Sequence, residues 1–384
     1  MPPSSKPNTS AASAASAASV ALGLQVPSKF AKLLVNWQRL HGRHDLPWQE
    51  ALDPYRVWVS EIMLQQTQVV TVIDYFQRFM KRFPNVQTLA AADQDDVLGL
   101  WSGLGYYSRA RNLHRCAKDI VSIHSGVFPK DFETLQTLAG IGPSTAAAIA
   151  SICFCERVPI LDGNVKRVLT RLMGYGADLS VSSNVRRLWD LAKELLPSAQ
   201  KDMPTYTQGI MDLGATVCTP KNPKCESCPV RSICVATQEG APLSYPVKTK
   251  KIKRTTQSLW MLCLINERQQ IWLEKRPGKG IWAGLYCVPV FQSQEEMGEF
   301  AARLQAKKLC YREAIAHALT HKELFLHWVQ SEQVSSGKLQ QVVPKASSPG
   351  SAEPSEPENG AWFGAKDWSV LGLPAPVRKF LESS

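Results

Sequence analysis

Residues Thr134 to Ser151 read TLQTLAGIGPSTAAAIAS, and the centre of that stretch is Leu138-Ala139-Gly140-Ile141-Gly142-Pro143-Ser144-Thr145. Two glycines so close together permit a tight turn, because glycine tolerates positive φ. A helix–turn–helix of this kind points backbone amides outward, and the next helix N-terminus adds positive potential. Gly140, Gly142 and Ser144 can therefore seat a phosphate without reading base sequence. The same residues suit an ordinary glycine turn between two helices equally well, so on this stretch alone both readings stand.

Outward from the turn, the pattern stays helical from about Phe30 to Val235. Apolar residues recur at three- and four-residue steps, as in Val57, Val59, Ile62, Met63 and Val69, Val70, Val72, Ile73. Glycine and proline mark short connections at Gly103, Gly105, Pro129, Pro159 and Gly163. Two carboxylates stand out. Glu61 is the one charge between Arg56 and Asp74. A glutamate in an apolar helix is costly unless it is paired or used, and burial would turn it into a general acid near neutral pH; a solvated helix face is the alternative. Asp162, in ILDGNVKRV, can cap the next helix or face a ligand as a partly desolvated anion, with Lys166 and Arg167 suited to a phosphate partner. Gln65-Gln66-Thr67 and Gly103-Leu104-Gly105-Tyr106-Tyr107 carry amides and tyrosines near helix ends, where such groups can wedge into a base stack or simply pack in a core.

The helical region ends in Cys218, Cys225, Cys228 and Cys234, spaced C-x6-C-x2-C-x5-C. Four thiolates in so short a span can hold zinc or a [4Fe–4S] cluster. Structural zinc usually shows two C-x2-C pairs, and only one exists here, which favours the iron–sulfur cluster. Disulfides are disfavoured in a chain that carries no export signal. The other six of the ten cysteines are scattered, as buried reduced thiols are. The 384 residues are enough for two domains, and the formal charge of +11 points to an acidic partner, nucleic acid first. No run of eighteen apolar residues occurs, so no membrane partner is expected. A Ser/Ala-rich tail over 1–26 is expected to be disordered. A basic linker, KTKKIKR, covers 248–254. Beyond it the texture changes to strand-like runs, Leu259–Ile265 and Gln270–Glu274, around Asn266-Glu267-Arg268. A second, α+β domain is expected over 255–384, with a disordered Ser/Pro/Glu/Gly-rich insertion over 335–360.

Taken together, Leu46-Pro47-Trp48, SEIMLQQTQV, GLGYYSRARNL, the glycine hairpin, ILDGNVKRV, MDLGATVC and the four cysteines resemble the adenine DNA glycosylases of the helix-hairpin-helix base-excision superfamily. The match runs from about residue 46 to 234. The resemblance implies a mostly α fold: a helix-hairpin-helix glycosylase domain over 27–247, including a [4Fe–4S] cluster loop at 218–234, followed by a smaller α+β Nudix-like domain. It implies that Glu61 protonates adenine N7 and that Asp162 stabilises the cationic sugar, one carboxyl tuned upward in pKa and one kept ionised. The target base would be extruded from the duplex. Gln66 and Tyr106 match residues that enter the stack, with Thr67 beside them; Gln208 matches a position near the adenine pocket, and Lys166 a lysine near the sugar. Bifunctional relatives carry a hairpin lysine where this chain has Ser144, so a monofunctional enzyme is implied.

In the second domain, Lys275-Arg276-Pro277 and GIWAGLYCVP resemble a Nudix fold, while VFQSQEEMGEF lacks the metal motif of active hydrolases. The resemblance to the adenine DNA glycosylases implies that this domain binds 8-oxoguanine through Leu319-Thr320-His321, with Thr320 and His321 as contacts. The expected substrate is double-stranded DNA holding an A·8-oxoguanine or A·G mispair, acted on by a cytoplasmic, nucleoid-associated monomer. An endonuclease III-like pyrimidine glycosylase/lyase is the alternative; a non-catalytic iron–sulfur DNA-binding protein and a Nudix hydrolase are the rivals from other classes.

Overall fold

A computed structural model describes residues 27–250, 253–334, 339 and 360–383. The expected tail over 1–26 and most of the expected insertion over 335–360 lie outside the described residues. Within the latter, Leu339 is buried in a core and Gly360 opens a strand. By packing, the chain divides into two units: 1–80 with 119–251, and 81–118 with 252–384.

The helices are α1 Phe30–His41, α2 Pro54–Leu64, α3 Val69–Arg82, α4 Val86–Ala90, α5 Gln94–Trp101, α6 Ser108–Ile123, α7 Phe132–Thr137, α8 Pro143–Phe154, α9 Gly163–Met173, α10 Ser182–Glu194, α11 Met203–Asp212 and α12 Val235–Gln238. After the strands begin come α13 Gln294–Arg303, α14 Ala365–Trp368 and α15 Ala375–Glu382. Among the described residues, no helix is long and apolar enough to cross a membrane.

The first unit is built around α8. Its residues from Thr145 to Ile152 are all buried, because a helix that is small and apolar all round is a central one. Its alanines let α2, α7 and α11 pack closely on it. The turn between α7 and α8 has the expected form. Gly140 takes φ 77°, and Gly142 precedes Pro143 at the first helical position with no side chain capping the helix. Both glycines are exposed, so the amides of the α8 N-terminus open to the surface.

The second unit contains one mixed sheet. Its strands are β1 Thr255–Asn266, β2 Ile271–Lys275, β3 Tyr286–Cys287, β4 Val290–Phe291, β5 Lys307–Tyr311, β6 Ile315–Ala318, β7 Lys322–Val334 and β8 Gly360–Phe363. The order is β3-β2-β1-β7-β5, with β4 on β1, β6 on β7 and β8 on β2. β1 and β7 run parallel, register Leu259 to Leu326, at the centre. The two strand-like runs pair antiparallel about Asn266: Ile265 pairs with Ile271, and the Asn266 carboxamide oxygen accepts from the amides of Arg268 and Gln270, both at 2.9 Å. The unbroken apolar run of β1 is explained by burial on both faces. Leu259, Met261 and Cys263 enter one core with Trp328 and α15, while Leu262 and Leu264 enter the other with Val329 and α13.

Candidate active site and cluster loop

Asp53 starts α2 by accepting the Tyr55 amide at 3.2 Å, with Pro54 next. The helix buries Val57, Trp58, Val59, Ile62 and Met63 and stops at Gln65, leaving Glu61 on the remaining face. That face looks into a cavity of about 1100 Å³. Glu61, Gln66, Thr67, Ser144, Asp162 and Gln208 all line it, so six of the expected site residues, separated by up to almost 150 positions in the chain, converge. Gln66 is exposed at its rim with φ 58°. The cavity is large enough to admit a nucleobase with its sugar.

Burial pushes the Glu61 carboxyl up to about 7, helped by the charge of Asp162 and opposed by Arg43. Burial is the larger cause, so a protonated glutamate is accessible at neutral pH. Asp162 caps α9, its Oδ1 accepting the Val165 amide at 2.7 Å. It thus serves both as helix cap and as cavity wall. Burial also raises the Asp162 carboxyl. Hydrogen bonds from Val165 and Asn164 and the charge of Arg167 pull it back.

Arg43, Asn164 and Asp212, not singled out from the sequence, join the site in the tertiary structure. Asp212 is fully buried. Its Oδ1 accepts from Arg43 Nε at 2.7 Å and from Gln208 Nε2 at 2.9 Å, and its Oδ2 from the Arg43 amide at 3.0 Å. This network fixes Gln208 and sets a cation near Glu61. A lone aspartate in the apolar run GIMDLGATV carried the same signal that singled out Glu61. Arg167 lines the same cavity, and its guanidinium is engaged by the protein itself. It is buried, donating to Asn164 Oδ1 at 2.8 Å, Gly214 O at 2.7 Å and Cys218 O at 2.7 Å. Lys166 is half-buried and is not among the residues lining the cavity.

The cysteine loop is welded to the same helix. Arg171, only 2 % exposed, donates to Thr219 O at 2.8 Å, Pro220 O at 3.2 Å and Tyr245 O at 3.2 Å, and to Cys218 Sγ at 3.4 Å. A π-turn, Leu213–Val217, delivers Cys218, and short 3-10 turns carry Cys225 and precede Cys234. All four thiols line one small, mostly apolar cavity. Among the described residues, no three His, Cys, Asp or Glu gather as the ligands of a single ion. Four thiols ringing a shared cavity beside a buried guanidinium fit an anionic iron–sulfur cluster better than one zinc ion. The cluster, when bound, contributes a fixed cross-link of the loop.

Tyr106 belongs to the second unit, exposed with φ 49°. Leu319, Thr320 and His321 connect β6 to β7, the Leu319 amide donating to Lys322 O at 2.7 Å. Thr320 is half-buried and His321 exposed.

Fold and site define a helix-hairpin-helix base-excision glycosylase with an iron–sulfur loop and a Nudix-type domain. Residues 59–194 match the HhH-GPD superfamily of base excision DNA repair proteins. Residues 218–234 match the iron–sulfur binding domain of endonuclease III, and 260–383 a NUDIX domain. The chain is 38 % identical over 356 residues to the adenine DNA glycosylase of Buchnera aphidicola subsp. Schizaphis graminum, covering 92 % of this chain and 98 % of that one. It is 47 % identical over 218 residues to the adenine DNA glycosylase of Rattus norvegicus, covering 54 % of this chain and 42 % of that one. The chain belongs to the adenine DNA glycosylase family. It is a DNA glycosylase of base excision repair that binds a [4Fe–4S] cluster through its cysteine loop.

Proposed function

We propose that this enzyme hydrolyses the N-glycosidic bond of adenine mispaired with 8-oxoguanine or guanine, leaving the strand intact. The observation that carries the reading is the pairing of Glu61 and Asp162 on one cavity, with the Glu61 carboxyl raised to about 7. Protonated Glu61 donates to N7 of an extruded adenine, which makes the base a neutral leaving group. As the C1′–N9 bond breaks, ionised Asp162 stabilises the positive charge on the sugar, and water adds at C1′. Ser144 lines the cavity where a lyase would place its amine, and a hydroxyl forms no Schiff base. This argues against the pyrimidine glycosylase/lyase alternative.

Residues 27–247 carry this chemistry in our reading, and 255–384 read the opposing lesion through Thr320 and His321. The exposed amides after Gly142 take a phosphate. Glu295 and Glu296 lie in the first turn of α13, and Glu296 accepts the Gln292 amide at 3.0 Å. They serve that helix, which supports binding rather than hydrolysis. The enzyme acts as a monomer on duplex DNA. The test is cleavage of a duplex with a single A·8-oxoguanine pair, with and without alkali. Strand breaks that need alkali are expected; breaks without it would overturn the monofunctional assignment.

A further inference from the structure

The loop Gly103-Leu104-Gly105-Tyr106-Tyr107 shares a unit with residues 252–384 and is held from two sides. From within, Arg109 Nη2 donates to Leu104 O at 3.2 Å and Gly105 O at 3.0 Å, its guanidinium 5.3 Å from the Trp101 ring and 5.5 Å from the Tyr106 ring. The other side is the chain between β8 and α15. The Tyr107 hydroxyl donates to Leu373 O at 2.7 Å and accepts the Gly103 amide at 3.3 Å. Ser102 Oγ donates to the same carbonyl at 3.1 Å, and Arg378 Nε donates to Ser102 Oγ at 3.0 Å. The backbones touch: a Cβ on Gly99 would fall 2.2 Å from Val370 O, and one on Gly372 2.7 Å from Leu98 Cβ. What remains outside is the Tyr106 ring, 45 % exposed, on a backbone of φ 49°. A left-handed conformation on a tyrosine persists only where its surroundings over-determine it.

We propose that Tyr107 is a positioning residue. Its hydroxyl, clamped between Leu373 O and the Gly103 amide, fixes the loop so that Tyr106 meets the base stack in one orientation. The C-terminal segment thereby takes part in base extrusion as well as in lesion reading. This rests on the reading of Tyr106 as a wedge.

The experiment uses the full-length, cluster-loaded enzyme and the variants Tyr107→Phe and Tyr106→Ala. Single-turnover excision is measured at saturating enzyme on an A·G duplex, and on a duplex whose target adenine faces an abasic site and is already loosely stacked. 2-Aminopurine beside the target reports unstacking. Tyr107→Phe keeps the ring and removes one hydrogen-bonding hydroxyl, so roughly 3- to 10-fold slower excision is expected on A·G. The 2-aminopurine signal should be smaller, and the rate opposite the abasic site and the iron content unchanged. Equal losses on both duplexes, or none on either while Tyr106→Ala is impaired, would overturn the positioning role. Tyr106→Ala with wild-type rate and fluorescence would instead overturn the wedge reading, and this proposal with it. If Tyr107→Phe melts early, Ser102→Ala removes the second donor to Leu373 O and is judged by the same outcomes.

Discussion

At the scale of single residues, Glu61 combines two conflicting roles. Burial that makes it an acid also destabilises its ionised form in the fold. Its folded pKa of about 7 lies above the ordinary 4.5, so the folded state holds the proton more tightly. Stability from this group is therefore full below about pH 4.5 and is lost as pH rises through about 7. Glu61→Gln has no proton to lose. It should stabilise the protein at pH 8 by on the order of 2 kcal/mol and by almost nothing at pH 4, as read by thermal melting. The same variant should lose at least ~100-fold in excision, because an amide cannot transfer a proton to N7. Wild-type excision should fall as pH rises through about 7 and fall again in acid as Asp162 loses its charge. A flat single-turnover profile between pH 5 and 9 would remove Glu61 from the acid role. Asp162→Asn should keep its α9 cap, since asparagine caps as well as aspartate, yet lose most activity. Equal melting temperatures with near-wild-type rates would count against the charge argument.

At the scale of elements, α9 ties the chemistry to the cluster. Asp162 caps its start, Arg167 grips Cys218 O one turn on, and Arg171 grips Thr219 and Pro220 after another. Arg171→Met should leave buried carbonyls unpaired and cost about 3 kcal/mol. Iron should fall below about four per chain and the absorbance near 400 nm should weaken. Unchanged iron and melting would refute the coupling of helix to loop. On the loop surface, Lys221 and Lys224 are exposed, whereas Arg231 is engaged with Glu226. Neutralising both lysines should reduce the slope of log affinity against log salt by about one to two. A slope identical to wild type would exclude phosphate contacts there.

At the scale of the whole molecule, the sheet-bearing unit includes more than the residues after the linker. Lys275 Nζ meets Asp95 Oδ1 at 2.7 Å, and Arg111 Nη1 donates to Ala283 O at 2.7 Å. A chain cut near Arg254 retains Glu61, Asp162 and the four cysteines, so it should still excise adenine. It also strips partners from Asp95, Ser102, Tyr107 and Arg111, so it should melt earlier. Thr320→Ala in the intact chain is the cleaner probe. It should reduce the preference for 8-oxoguanine over guanine by about 1 kcal/mol, measured as the ratio of single-turnover rates. An unchanged ratio in both proteins would place lesion reading outside residues 255–384. The sequence by itself determined the elements and the chemistry-bearing positions. The glycine turn, the apolar run of β1, the lone Glu61, the capping Asp162 and the cysteine spacing are local signals, set by backbone sterics, side-chain periodicity and ligand chemistry. Only the tertiary structure decided which of these face one another. Arg43, Gln208 and Asp212 meet because α11 packs against α1. Arg167 holds the Gly214 and Cys218 carbonyls because the cysteine loop folds over α9. Residues 81–118 join the sheet unit because Gly99 and Gly372 let two backbones touch. Such contacts depend on complementarity between distant segments, and no short stretch of one chain carries that information.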